Sequence, residues 1–221
     1  MKLVFEKCRL ILLVLGLLVL DQLPVALAAI WREDRVLTQT DNIIVFILEL
    51  VAILIFYLYG KRHHLLEGRV FLSKRAIKIM LIVWLVMRIP NLIGSWIMAL
   101  EGVTDTVNQE ALTELITQLP ISLMALFTVI GAPLMEEIIF RHIIPKQLFK
   151  GHQKIGFAVG TLAFAALHGP TDLGSFIIYA GMGAIFSYVY YKYERLEYTI
   201  LAHFFNNALA FGLMILFLQM G

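Results

Sequence analysis

The sequence predicts an all-α fold, a polytopic transmembrane bundle of seven or eight helices with a polar cavity between its C-terminal helices. Three observations carry that expectation. Of the 221 residues, 60% are hydrophobic and 15% charged, against roughly 45–50% and 25% in soluble domains, and mean hydropathy is +0.84. Apolar runs of the length needed to cross a bilayer, about 20 residues, alternate with short charged loops. Ionisable residues nevertheless stand inside the C-terminal runs, where each costs on the order of 2.5–3.5 kcal/mol and requires a shared polar interior.

Residues 9–30 form the first apolar run, flanked by Lys2, Lys7 and Arg9 before it and Trp31-Arg32-Glu33-Asp34-Arg35 after it. Ala26-Leu27-Ala28-Ala29 has the small-residue pattern of a signal-peptidase site, but the run is longer than a usual signal core and further spans follow, so an uncleaved span is expected. Asp21 within it reads as a buried charge facing the bundle. Residues 43–60 make a second span, ending at Gly60. Lys61 to Lys78 is the basic segment, with Lys61, Arg62, Arg69, Lys74, Arg75 and Lys78 against Glu67 alone, and the positive-inside rule places it in the cytoplasm. Residues 79–99 return outward past Pro90, where a kink is expected. The segment from Glu101 to Glu114 holds four acids and no Lys or Arg, as an outer loop would.

Residues 116–148 are longer than one crossing needs. Gly131-Ala132-Pro133 interrupts them, and proline removes a backbone donor and clashes one turn back, so a kink or break is expected there. Glu136 and Glu137 would then open a new helical piece and gain from its dipole. Lys146, Lys150 and Lys154 mark a second cytoplasmic loop. A short run, 155–168, is stopped by Gly169-Pro170. Residues 174–191 follow, where Gly174, Gly181 and Gly183 allow close helix approach. After a charged turn, 192–197, the last span covers 199–219. The whole is expected to be one continuous bundle, divisible into N-terminal helices over 1–115 and a helical core over 116–221.

The net charge of +2 comes with no basic face on a folded soluble domain, so a nucleic-acid partner is not expected. Cys8, the one cysteine, has no internal disulfide partner. On a helix Glu137 and Arg141 share a face and can pair, while Glu136 is rotated about 100° away. His203 and Asn207 also stand four apart on one face, so both can address one cavity.

In chain order the polar residues read Glu136-Glu137-Ile138-Ile139-Phe140-Arg141 (EExxxR), Phe164-Ala165-Ala166-Leu167-His168 (FxxxH) and His203-Phe204-Phe205-Asn206-Asn207 (HxxxN). The pattern resembles the CPBP family of intramembrane proteases, the CAAX proteases and bacteriocin-processing enzymes also called ABI, over roughly residues 128–212. One departure stands out: His142 follows the motif arginine where the family usually has glycine.

The resemblance implies hydrolysis of a peptide bond within the membrane by the 116–221 core. Glu136 would be the general base that holds and activates a water together with His168, and His203 and Asn207 would stabilise the oxyanion. Glu137, Arg141 and Phe164 would support them. Two readings of the chemistry stay open, a metal-free glutamate and histidine site, or a zinc set of Glu136, His168 and His203 with one open position; the HExxH spacing of many zinc proteases is absent.

The implied partners are a membrane-embedded peptide or protein substrate, lipidated or not, and the lipid bilayer; the expected location is a bacterial plasma membrane. A rival reading is a non-proteolytic membrane partner, a bacteriocin-immunity factor or sensor-kinase modulator, that keeps the motif as a polar core. Simple span counting puts Glu136 and His203 toward the cytoplasmic side and His168 near the outer end of its run. A common site therefore requires that Glu136 lie deeper or that 155–168 not cross fully.

Overall fold

The structure is a computed structural model that describes residues 2–220. Its described residues are helical throughout the ordered elements, with no sheet. Nine helices follow in order: α1 (Lys2–Asp34), α2 (Gln39–Arg62), α3 (Gly68–Phe71), α4 (Lys74–Glu101), α5 (Val107–Ile116), α6 (Ile121–Leu148), α7 (Gln153–Leu167), α8 (Leu173–Tyr193) and α9 (Leu196–Met220). Six of them, α1, α2, α4, α6, α8 and α9, are long and apolar enough to span a membrane. The chain is an integral membrane protein, and the expected seven or eight helices are corrected to six candidate spans among nine helices.

The difference from expectation lies in α5 and α7. Residues 107–116 form a short helix before the fourth span rather than part of an open loop. Helix α7 has 15 residues, about 22 Å at 1.5 Å per residue, short of the roughly 30 Å hydrocarbon core. This agrees with the expectation that 155–168 need not cross fully.

Two expected breaks are absent. Helix α2 runs through Gly60 to Arg62, and Gly60 serves as a landing site for the side chain of Leu66. At Pro133 the chain changes helical pitch instead of breaking, with π-helical turns over Leu126–Gly131 and Ile138–Leu148 on either side of the α turn Ala132–Glu137. Glu136 and Glu137 therefore end a turn of continuous helix and do not occupy the first turn of a new one.

Local sequence explains the ends of the long helices. Thr38 and Asp41 form a reciprocal capping box at α2, Ser73 caps α4 through Ala76 N at 3.1 Å, and Asp172 caps α8 through Ser175 N at 2.7 Å. Each satisfies backbone donors that the first turn would leave orphaned. The loop carboxyl of Asp172 is held below its usual range by these backbone donors. At one end of the bundle the basic loops are tied by Lys146–Glu194 at 2.9 Å and Arg195–Glu67 at 3.0 Å. At the other, Arg32 meets Glu114 at 3.0 Å and Thr106 meets Tyr179 at 2.7 Å.

One core cluster joins both halves of the chain, from Val14 and Leu17 through Phe56 and Met87 to Phe186 and Ala202. Large apolar side chains on the outer faces, such as Leu12, Ile47, Leu85 and Trp96, are exposed, as lipid-facing residues are. Within the bundle α4 and α8 meet backbone to backbone: a Cβ on Gly94 would lie 2.5 Å from Gly174 O, and one on Gly174 would lie 2.5 Å from Gly94 O. Because the obstacle is main chain, it cannot rotate away. Replacing Gly174 by alanine is expected to cost about 1–3 kcal/mol, the usual range for overpacking, read as a lower unfolding midpoint in detergent.

Candidate active site

The polar residues expected to matter lie on α6, α7 and α9, and α6 carries most of them. Its first wide turn lies directly before Pro133. In the π-turn the Ala132 N–H bonds Phe127 O, five residues back, so the next carbonyl, Thr128 O, would need the N–H of residue 133. Proline has none. The orphaned carbonyl is satisfied from another helix: Asn207 Nδ2 on α9 donates to Thr128 O at 2.9 Å. The last motif thus docks on the gap that the proline leaves.

Next along α6, Glu137 and Arg141 pair as their four-residue spacing predicts, Oε2 to Nε at 3.4 Å, with both side chains fully buried. Glu137 Oε1 also meets His203 Nδ1 at 3.2 Å. A second-motif residue completes the cluster: the Phe164 ring lies 4.5 Å from the Arg141 guanidinium carbon, 4.6 Å from the His168 ring and 6.0 Å from the His203 ring. Phe186 stacks on His203 at 5.0 Å and flanks Arg141 at 5.8 Å. Two aromatic faces and one carboxylate therefore surround the guanidinium, a setting in which cation–π attraction is strengthened by the absence of water. Arg141 Nη1 reaches Gly160 O at 3.4 Å, and a Cβ at Gly160 would strike Phe140 O, so α6 and α7 must approach at glycine.

Among the described residues Glu136 has no ion pair of the kind Glu137 makes. It is buried, yet its Oε2 has no hydrogen-bond partner. Two further buried carboxyls come from the N-terminal half. Asp21 on α1 acts electrostatically on Glu136 and on Glu49 of α2. Glu49 is buried with an unpartnered Oε1 that occupies the space a side chain at Gly131 would need. Asp21 is buried, as expected, and is bonded by Gln22 at 2.9 Å.

His168 caps the C-terminus of α7. Its Nδ1 faces Phe164 O at 2.8 Å and its ring stacks on Tyr179 at 4.4 Å. That backbone bond fixes the ring and leaves Nε2 for chemistry. His142, the residue standing in place of the family's glycine, is accommodated by Tyr190, whose hydroxyl lies 2.8 Å from its Nδ1.

The zinc set of Glu136, His168 and His203 does not assemble. Among the described residues no three His, Cys, Asp or Glu side chains are grouped to hold a metal ion. As placed, the three residues do not fit a metal. Glu137, Arg141, Phe164, His168 and His203 form one connected cluster; Asn207, one turn beyond His203, is instead tied to Thr128 and to Asn206.

Glu49, Arg88 and Tyr179 were not singled out by sequence. Only an unpaired acid or cation inside a long apolar run signalled the first two, and nothing signalled Tyr179.

Comparison with known proteins covers both halves of the chain. A family model described as type II CAAX prenyl endopeptidase Rce1-like matches residues 118–209. The chain is 29% identical over 201 residues to the UPF0177 protein YvdC of Lactococcus lactis, an alignment covering 91% of this chain and 76% of that one. It is 36% identical over 107 residues to the membrane-embedded CAAX protease MroQ of Staphylococcus aureus, covering 45% of this chain and 42% of that one. It is 31% identical over 107 residues to a candidate membrane peptidase, YdiL, of Bacillus subtilis, covering 47% and 41%. No solved structure matches significantly.

Removing one partner of a buried ion pair strands the other charge and costs about 3–5 kcal/mol. Arg141→Met alone should therefore abolish accumulation of folded protein. The double variant Glu137→Gln with Arg141→Met should recover it in part, as measured by size-exclusion profile and unfolding midpoint in detergent.

Proposed function

We propose that the chain is a member of the Rce1-like type II CAAX prenyl endopeptidase family, as the match over residues 118–209 and the likeness to two bacterial membrane peptidases support, and that it is an intramembrane endopeptidase that hydrolyses a peptide bond of a membrane-associated or lipidated peptide or protein. The observation that carries this reading is the unequal treatment of two adjacent carboxylates. Glu137 meets His203 through Oε1 and faces the Arg141 guanidinium through Oε2, an ion pair without a hydrogen bond, whereas Glu136, whose buried Oε2 also has no hydrogen-bond partner, has no ion pair among the described residues. A buried polar atom left unpaired costs about 1–3 kcal/mol, and a group reserved for a water or substrate is the functional use of such a cost.

In the proposed reaction Glu136 and His168 hold a water between them. Glu136 removes a proton as the water oxygen attacks the scissile carbonyl carbon, and the carbonyl oxygen becomes the tetrahedral oxyanion. Asn207 donates to that oxyanion through the amide hydrogen not given to Thr128, and His203 donates through Nε2–H with its ring carrying both protons, the Nδ1–H being held by Glu137. Collapse of the intermediate breaks the C–N bond, and the proton held by Glu136 passes to the departing amine. Glu137 and Arg141 fix the helix so that Glu136 faces the water. The imidazole of His168 is oriented by Phe164 O and by the Tyr179 ring.

Loss of one oxyanion donor typically lowers kcat by roughly 10²–10³, so Asn207→Ala should slow cleavage by that order with the protein still folded, measured in single-turnover kinetics. Glu136→Gln should abolish turnover. The decisive measurement is a comparison of the peptides made by cells carrying the native chain and the Glu136→Gln chain. Product termini present only with the native chain name the bond; identical peptide profiles with equal protein levels would defeat the proposal in favour of a non-proteolytic membrane role.

A further inference from the structure

Arg88 stands near the middle of α4, an apolar helix of 28 residues. Among the described residues no carboxylate pairs with it; its guanidinium is instead spent on neighbours that hold it in place. Nε donates to Trp84 O at 3.3 Å, and the cation lies 5.1 Å from the Trp84 ring centre. Nη2 donates to Asn206 Oδ1 at 2.6 Å. From there the bonds continue in one direction: Asn206 Nδ2 donates to Asn207 Oδ1 at 3.2 Å, and Asn207 Nδ2 donates to Thr128 O at 2.9 Å. Three helices, α4, α9 and α6, are linked by this single file of donors and acceptors.

We propose that Arg88 is a positioning residue for Asn207, acting through Asn206. The role rests on Asn207 being an oxyanion donor in the hydrolase reading above. A guanidinium has donors and no acceptor, so it accepts only the oxygen end of the Asn206 amide; the reversed amide would set donor against donor. With Asn206 oriented, its NH₂ group faces Asn207 and takes the Asn207 oxygen. The Asn207 NH₂ is thereby turned away, with one hydrogen on Thr128 O and the second available. A cation at the head of such a file also polarises each amide in turn, which strengthens the last N–H as a donor to a developing negative charge. The device completes the last motif from outside the stretch that matches the family, since Arg88 lies before residue 118.

The test uses the full chain in detergent or vesicles, with a quenched-fluorescent farnesylated peptide as probe. Arg88→Gln and Asn206→Ala are expected to lower kcat at least about tenfold with KM nearly unchanged. Asn206→Asp is the discriminating variant. It keeps and strengthens the contact to Arg88, so a purely structural role would be rescued, but its carboxylate offers no N–H to Asn207, and kcat should fall as in Asn206→Ala while the unfolding midpoint does not. Arg88→Gln added to Asn207→Ala should cost nothing further. Full kcat in Arg88→Gln, or recovery in Asn206→Asp, overturns the proposal.

A substrate-free measurement decides it independently: the side-chain amide ¹⁵N signals of Asn207, assigned by their loss in Asn207→Asp, should move in Arg88→Gln and in Asn206→Asp, and unmoved signals overturn it. Cleavage of the probe by Glu136→Gln would instead defeat the hydrolase reading, leaving the Asn207 signals to judge the hydrogen-bonded file alone.

Discussion

A fully buried arginine governs how this bundle is built. Arg141 has no exposed side-chain surface, and a guanidinium removed from water is tolerated only with a counter-charge and further partners. Glu137 supplies the charge from the same helix, Phe164 and Phe186 supply π faces, and Gly160 O supplies an acceptor because α7 can lie directly against α6. Those requirements fix which faces of α6, α7, α8 and α9 meet. They also draw in His203, whose imidazole shares the Glu137 carboxylate. Glu136, one residue away and on another face, is what this arrangement leaves unspent.

A second constraint comes from the backbone. Pro133 cannot donate, and the wide turns around it place an unpaired carbonyl at Thr128 opposite Asn207. The side chain that the family resemblance assigns to the oxyanion is therefore also a structural cap, and in the proposed reaction one amide hydrogen would serve each purpose. Dual use of this kind restricts substitution more tightly than either role alone.

The sequence made the helical spans, the Glu137–Arg141 pair, the burial of Asp21 and the close-packing glycines of α8 legible because each depends on composition or on spacing within one helix. Gly174 lies against Gly94 and Met98, Gly181 against Pro90, and Gly183 against Phe164 and Thr161. What stayed hidden depends on which helices become neighbours. Glu49 looks like a stray acid in a span until α2 is laid against Gly131, and Arg88 looks like a misplaced cation until α4 is laid against Asn206. The kink or break expected at Pro133 was a sound inference about a missing donor; the helix runs on with a widened pitch, a response the residue pattern does not distinguish from a break. The zinc set failed for a related reason: residue types suited to a metal were present, but spacing along the chain does not say whether three helices bring them together, and among the described residues they are not grouped. Counting apolar runs overestimated the spans because the short run of α7 has the hydropathy of a crossing without its length.

That shortness has a consequence for the surrounding lipid. A helix of 15 residues is about 8 Å shorter than a hydrocarbon core of roughly 30 Å, and a leaflet meeting its lipid-facing side would have to dip toward it, with a cost that rises for every ångström of mismatch. The histidine at its tip would sit beneath a locally thinned film, so long-chain or sterol-stiffened bilayers, which resist such a dimple, would press on this corner of the protein harder than short-chain fluid ones do.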